Sequence, residues 1–435
     1  MILHRRETAQ LREQVEELLA NTYHAPVSLA RPQLIPSRPN ICRFFVRTGP
    51  AELGSNLIVK RLPADGIDEA RDASYPSTRN RFFNDWAGLQ FLNEVAGGTS
   101  IVPRFYAASH ATPACPADLI VMEDLKIRKD IGAVLKGKEP RKAEEELLLW
   151  AGALGRLHAS TIGKEARFRG IREGIAPRRP SWGWVPHWQR NHDAYEKLMQ
   201  TLPEEVRQAG FASFHWMRFV LRQAADALSL TVLRAAAANL ETVIQALYAP
   251  GPFLAYTHGD PCPGGNCLVT ENVARLIDFE NGDYRHALLD IVYARISFPT
   301  CWEAMTLPHS LVLRIEQAYR AELVAACPEA MDDQRFAREL VHACAYWALM
   351  LCQFNAIAQF PTGDRYWEPY RMRQRILTRF ERFAQTTAEF GYLEALGSLF
   401  QTMATMLRER WPAYAQQLPV YSAFRHVLAD KPVTS

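Results

Sequence analysis

The stretch from Leu254 to Ile291, LAYTHGDPCPGGNCLVTENVARLIDFENGDYRHALLDI, constrains this chain more than any other. A short apolar run, Phe253 to Tyr256, delivers His258-Gly259-Asp260 to a turn rich in proline and glycine. Asn266 opens a second run, Cys267 to Thr270. After the polar pair Glu271-Asn272 a third run, Val273 to Ile277, ends at Asp278-Phe279-Glu280. Runs this short, bounded by turn residues, predict three strands. Asp260, Asn266 and Asp278 then stand at strand ends. Carboxylate and amide oxygens gathered there suit a hard cation such as Mg²⁺, which takes oxygen ligands and shares them with phosphates. Metal-assisted phosphoryl transfer is the chemistry to expect of such a cluster.

The chain has 435 residues, enough for a large core and for two or more domains. Its hydrophobic share of 48% and charged share of 22% are those of an ordinary globular protein, which excludes disordered and fibrous classes. Lys and Arg number 50 against 47 acids, a net +3 spread along the chain. Nucleic-acid binding wants a clustered basic face, so no nucleic-acid partner is expected. The N-terminus, MILHRRETAQLREQVEELLANTYH, is charged and amphipathic, with no apolar core before a small-residue cleavage site, so no signal peptide is expected. The most apolar window, Leu340 to Cys352, is too short to span a bilayer and reads as a buried helix. A cytoplasmic protein without a membrane partner follows as the expectation. The eight cysteines do not make a disulfide framework. Cys262 and Cys267 lie near His258, but no second close pair completes a tetrahedral zinc shell. Buried or half-buried free thiols are the better reading.

Before the central stretch, Leu11, Val15, Leu18 and Leu19 predict a helix over 7–22. Short β-type runs follow at Val27–Leu29, Ile41–Val46 and Leu57–Leu62, separated by Pro36–Asn40 and Thr48-Gly49-Pro50, the pattern of antiparallel hairpins. Lys60 comes directly after three aliphatics, and alone it reads as a solvated lysine at a strand end. A helix is predicted over 81–95, with Asp85 and Glu94 as its acids, then a strand at Leu119–Met122 running into Glu123-Asp124. Helical periodicity marks 144–158, about 203–230 and 233–248, with a Trp-, Arg- and Pro-rich loop over 171–188 between the first two. After the central stretch, helices are predicted at roughly 309–326, 333–359, 368–387 and 389–410. Two domains emerge: 1–125, β-rich with an N-terminal helix, and 126–435, mainly helical, with a strand-loop insert at 253–291.

Taken in order, His258-Gly259-Asp260, Gly265-Asn266-Cys267-Leu268-Val269 and Leu276-Ile277-Asp278-Phe279-Glu280 resemble the aminoglycoside phosphotransferase and choline kinase family. That family shares the protein-kinase-like fold. The resemblance spans about 35–300 and implies an α+β bilobal fold, with a small antiparallel-sheet N-terminal lobe and a large, mainly helical C-terminal lobe. It implies ATP and Mg²⁺ as cofactors and a hydroxyl-bearing small molecule as acceptor. Asp260 would be the catalytic carboxylate, and Asn266 and Asp278 the metal ligands. Lys60 would contact the nucleotide phosphates, paired with Asp85 or, failing that, Glu94. Met122, Glu123 and Asp124 would link the lobes beside the adenine, and Asn40, in the segment Ser37–Asn40, would cover the phosphates. His258 and Asp290 read as residues that brace the loop.

Three departures stand against that pattern. Asp260 and Asn266 are six positions apart where the family has five, an extra residue that Gly264-Gly265 can absorb in a bulged turn. Asp85 is one methylene shorter than the family's glutamate. A G-x-G-x-x-G loop is missing. The alternative is therefore a kinase-like nucleotide-binding or regulatory protein with weak catalysis or none.

Overall fold

The computed structural model describes residues 5–35, 38–63, 78–95, 101–113, 115–126, 130–176, 214, 216–351, 366–367, 370–414 and 416–425. The chain divides into two units. The first comprises Met1–Arg128, Ala166–Arg179 and Ile277–Glu280, and the second Lys129–Glu165, Pro180–Leu276 and Asn281–Ser435.

In the first unit, α1 (Arg5–Tyr23) places Leu11, Val15 and Leu19 four residues apart, on one face of a 3.6-residue helix. That face is buried. Strands β1 (Ser28–Leu29), β2 (Gln33–Ile35), β3 (Arg38–Thr48) and β4 (Asn56–Pro63) precede α2 (Thr78–Val95). Strands β5 (Phe105–Ser109) and β6 (Ala117–Glu123) follow it. All pair antiparallel in the order β1-β3-β4-β6-β5, with β2 on β3.

Side chains alternate along β4, as the two-residue period of a strand requires. Leu57 and Val59 go into the core with α1, and Ile58 and Lys60 are only half-buried. The core is closed by Phe44 opposite Leu57, and by Cys42 and Val121 flanking Val59. Sequence reading misses β2 and β5, because Gln33–Ile35 is very short and Phe105–Ser109 holds two alanines and a serine. Asn40, expected in a loop, lies within β3 on an exposed position, because the strand resumes at Arg38 opposite Ile35.

The second unit begins with α3 (Ile131–Leu135) and α4 (Pro140–Thr161). Next comes α5 (Glu165–Ile175), which from Ala166 belongs to the first unit. Residues 171–175 of the loop expected over 171–188 lie in this helix instead; 177–188, with Trp182, Trp184 and Trp188, lie outside the described residues. Helices α6 (Trp216–Asp226) and α7 (Arg234–Tyr248) lead into β7 (Leu254–Thr257), β8 (Cys267–Thr270), β9 (Val273–Leu276) and β10 (Asp283–His286). Then follow α8 (Leu288–Ile291), α9 (His309–Leu323), α10 (Asp333–Leu351), α11 (Met372–Phe390) and α12 (Glu394–Arg410). Among the described residues, no helix is long and apolar enough to cross a membrane.

The three-strand insert resolves differently from expectation. Strands β8 and β9 form a hairpin turned by Glu271 and Asn272, both at positive φ, the backbone of a tight two-residue turn. Strand β7 pairs instead with β10, Thr257 opposite Asp283 and Leu254 opposite His286. Sequence reading misses β10 because Asp-Tyr-Arg-His carries almost no apolar signal.

Phe44→Ala would open a cavity at a fully buried site beside Leu57. We expect a loss of about 3–5 kcal/mol in the first unit, read as a lowered thermal midpoint. A midpoint equal to wild type would mean the sheet's core is packed otherwise.

Candidate functional site

Two clusters gather the candidate residues, one in each unit. In the first, the Lys60 ammonium lies 2.5 Å from Asp85 Oδ2 and 2.9 Å from Asp278 Oδ1. Strand β4 supplies the lysine, α2 the first carboxylate, and the residues directly after β9 the second. Burial works against a charged lysine, but Asp278 and Asp85 outweigh it and hold Lys60 above its ordinary range. Asp85 uses its other oxygen to accept the Phe279 N–H at 2.8 Å, which fixes the chain beside Asp278. Asp278 itself sits at φ +70°, a left-handed conformation that is uncommon for a residue with a side chain and accessible to aspartate. Glu280 pairs with Arg81, and its carbonyl accepts from Asn84 Nδ2 at 3.4 Å. Burial and the neighbouring Asp278 charge push the Glu280 carboxyl up to about 7, against the pull of Arg81.

Asp85 is thus the partner of Lys60. Glu94 is engaged by Arg167 at 2.8 Å. Met122 and Glu123 end β6, and the Glu123 carboxylate accepts the Arg104 N–H at 3.1 Å. Asp124, buried, binds Arg43 Nε at 2.6 Å and caps its own turn by accepting the Lys126 N–H at 3.1 Å.

In the second unit the loop after β7 is held by a buried carboxylate. Asp290 accepts the His258 N–H at 2.6 Å and the Gly259 N–H at 3.1 Å. It also meets His158 Nε2 at 3.1 Å, and the other ring nitrogen of that histidine meets the Tyr319 hydroxyl at 2.7 Å. Burial opposes a charged Asp290, yet the hydrogen bond and charge of His158, with His258 and Arg285, keep it below the usual carboxylate range. Asp290 therefore braces the loop, as its sequence context suggests. Gly259, at φ +80°, leaves no room for a Cβ against Asn281 O and the Arg285 guanidinium. Trp150 Nε1 donates to Pro261 O at 3.0 Å on the far side of Asp260.

The Asp260 carboxylate accepts from the Thr300 hydroxyl on Oδ1 and from Asn266 Nδ2 at 3.3 Å on Oδ2. Asn266 reaches it through the bulged turn. Gly265 takes φ +114°, closed to other residues, and the Asn266 N–H returns to Cys262 O at 3.1 Å. The extra residue is absorbed, and the amide also donates to Asp260 O at 2.8 Å.

Cys262 is not the free thiol expected of it. It forms a disulfide with Cys301, across a sequence separation of 39. Nothing in the spacing points to that pair, because the partner arrives through the fold. A cavity of about 260 Å³ lies against this bridge and Gly264, walled by Asp130, Trp302, Tyr421 and the Lys136–Glu303 ion pair. Thr300, Cys301 and Trp302 belong to no recognisable motif, so sequence reading passes over them.

No family model matches the chain, and no curated protein matches it in sequence. Solved structures similar to it include a putative aminoglycoside phosphotransferase from Ralstonia eutropha. That match has 14% identity and a TM-score of 0.41, covering 92% of this chain and 98% of the other. An aminoglycoside phosphotransferase from Alicyclobacillus acidocaldarius matches at 15% and 0.38, covering 88% and 93%. A choline kinase from Cryptosporidium parvum matches at 11% and 0.39, covering 93% and 98%. Likenesses this distant leave the chemistry to be argued from the residues themselves.

Cys301→Ser should lower the thermal midpoint, since opening a loop of this length forfeits about 4 kcal/mol in the chain-entropy limit. Dithiothreitol should do the same to wild type and nothing further to the variant; a midpoint insensitive to both would mean the bridge does not form. Glu280, whose folded pKa lies above its unfolded value, contributes stability that is fully present below about pH 4.5 and is lost as pH rises through about 7. The stability of wild type relative to Glu280→Gln should therefore fall between those pH values in paired melts. A flat difference would contradict the shift.

Proposed function

We propose that the chain is an ATP-dependent phosphotransferase that moves the γ-phosphate to a hydroxyl of a small molecule. The observation that carries this reading is the Lys60 ammonium, held by Asp85 and Asp278 from sequence separations of 25 and 218 residues. A fixed, charged lysine beside a carboxylate that follows a strand is the arrangement that phosphoryl transfer asks for. The protein's task in that reaction is to position phosphates and neutralise charge.

In this reading Lys60, oriented by Asp85, takes the α and β phosphates. Asp278 offers a carboxylate and Asn266 an amide oxygen, each a hard oxygen donor of the kind Mg²⁺ takes. The amide nitrogen of Asn266 is engaged by Asp260, so the oxygen is the end that would ligate. When bound, the cation neutralises charge on the transferred group. Asp260 accepts the proton of the attacking hydroxyl, a role that suits a carboxylate acting as hydrogen-bond acceptor. Met122, Glu123 and Asp124 stand for the adenine-facing segment, and Asn40 would have to cover the phosphates from within β3.

A second reading, a kinase-like protein that binds nucleotide without turning it over, is favoured by one observation. Asn40 lies in a strand, so no described loop stands in for the missing glycine-rich one. Thermal unfolding with ATP, with and without Mg²⁺, and γ-phosphate release over a panel of hydroxyl acceptors separate the two. Stabilisation without release supports the binding protein. Neither stabilisation nor release would sink both.

Asp278→Ala should lower Mg²⁺-dependent turnover by about 10²–10³-fold, the usual loss for one group that stabilises developing charge. Circular dichroism should show the helix content intact. Retained turnover would place the metal elsewhere.

A further inference from the structure

We propose that Thr300 is a positioning residue for Asp260, an inference that rests on Asp260 as the proton acceptor of the reaction above. The Thr300 hydroxyl donates to Asp260 Oδ1 from 40 residues further along the chain. It meets the Tyr293 hydroxyl at 3.0 Å, and Tyr293 in turn reaches Gly259 O at 3.4 Å, so the two hydroxyls run from the Asp260 side chain to the carbonyl just before it.

The segment that carries Thr300 is held far more firmly than an ordinary loop. Two fully buried arginines of α11 clamp its backbone. Arg379 donates to Pro299 O at 2.9 Å, and Arg375 to Cys301 O at 2.8 Å and to Trp302 O. Both guanidiniums thus spend donors on the three carbonyls around Thr300. Ser297 and Phe298, directly before, both sit at positive φ (62° and 50°), strain of the kind that persists where surrounding structure over-determines it. Cys301 adds a covalent link to Cys262, two residues past Asp260.

These restraints converge on one consequence. With Thr300 on Oδ1 and Asn266 on Oδ2, the Asp260 carboxylate is fixed in its rotamer before any substrate arrives. Pre-orientation of this kind matters because misplacing a reacting group by about 1 Å can cost about 10²-fold in rate.

The test is γ-phosphate release from Mg·ATP by the full chain over the panel of hydroxyl acceptors and water, followed as kcat and KM. Asp260→Asn should lower kcat by at least about 10²-fold. Thr300→Val should lower it by about 10–100-fold with KM for ATP within about twofold. Thr300→Ser should recover kcat to within about threefold, since the hydroxyl and not the methyl is what acts. If Thr300→Val does not fold, Tyr293→Phe serves in its place, with a smaller loss in kcat of about 3–10-fold and KM for ATP again within about twofold.

Wild-type kcat in both Thr300→Val and Tyr293→Phe, with Asp260→Asn inactive, would overturn the inference and leave the function reading standing. Thr300→Ser as poor as Thr300→Val would overturn it too, assigning the loss to packing. Full turnover in Asp260→Asn, or no release by wild type, would remove the function reading and this inference with it.

Discussion

The first unit depends on one charge that has to be paid for. Lys60 is largely withdrawn from solvent, and an unpaired buried ammonium is among the costliest groups a fold can hold. Its two carboxylates come from α2 and from the short segment after β9, so satisfying it joins three parts of the chain. This explains an otherwise odd feature of the topology. The chain, deep in the second unit, returns to the first for only four residues, Ile277–Glu280. Each of the last three makes a polar contact there: Asp278 to Lys60, the Phe279 N–H to Asp85, and Glu280 to Arg81 and Asn84. Four residues bury too little apolar surface to be held by the hydrophobic effect alone, so charge and hydrogen bonds set their position.

The second unit solves a similar problem with the opposite sign. Asp290 is a fully buried carboxylate, and its partners are two backbone N–H groups and a histidine. A carboxylate so paired is stable in the interior and forces the loop bearing Asp260 into one path. Trp150 at Pro261, the disulfide at Cys262 and Thr300 at the side chain repeat that restraint from other directions. Breaking a buried pair of this kind leaves an uncompensated charge, so the loop's rigidity and the unit's stability are the same property.

What was legible in the sequence follows from how local each signal is. The helix 5–23, the strands around Phe44 and Val59, and the hairpin Cys267–Leu276 declare themselves by apolar period and turn residues. Lys60 by itself looked like a surface lysine, and only its order relative to Asp85 and Asp278 marked it out. Strands β2, β5 and β10 were hidden because tertiary pairing, not composition, makes them strands. The cysteine pair, Thr300 and the two clamping arginines of α11 were hidden for a stronger reason. Their partners lie 39 to 80 residues away, and no short pattern encodes contact at that distance.

The spacing of Asp260 and Asn266 shows how the two kinds of information combine. Read as sequence, six positions instead of five weakens the likeness to a metal-binding loop. In the structure, the insertion falls in the segment where it does least harm: Cys262 is tied by its bridge, Asn266 is returned to Cys262 O, and Gly265 alone takes the unusual φ. The residues before the insertion are braced by Asp290 and Trp150, and those after it by the β8–β9 ladder. An extra residue between two such fixed ends can only change the turn, not the direction in which β8 leaves it. The departure in spacing is therefore confined to two glycines, and Asn266 keeps its place against Asp260.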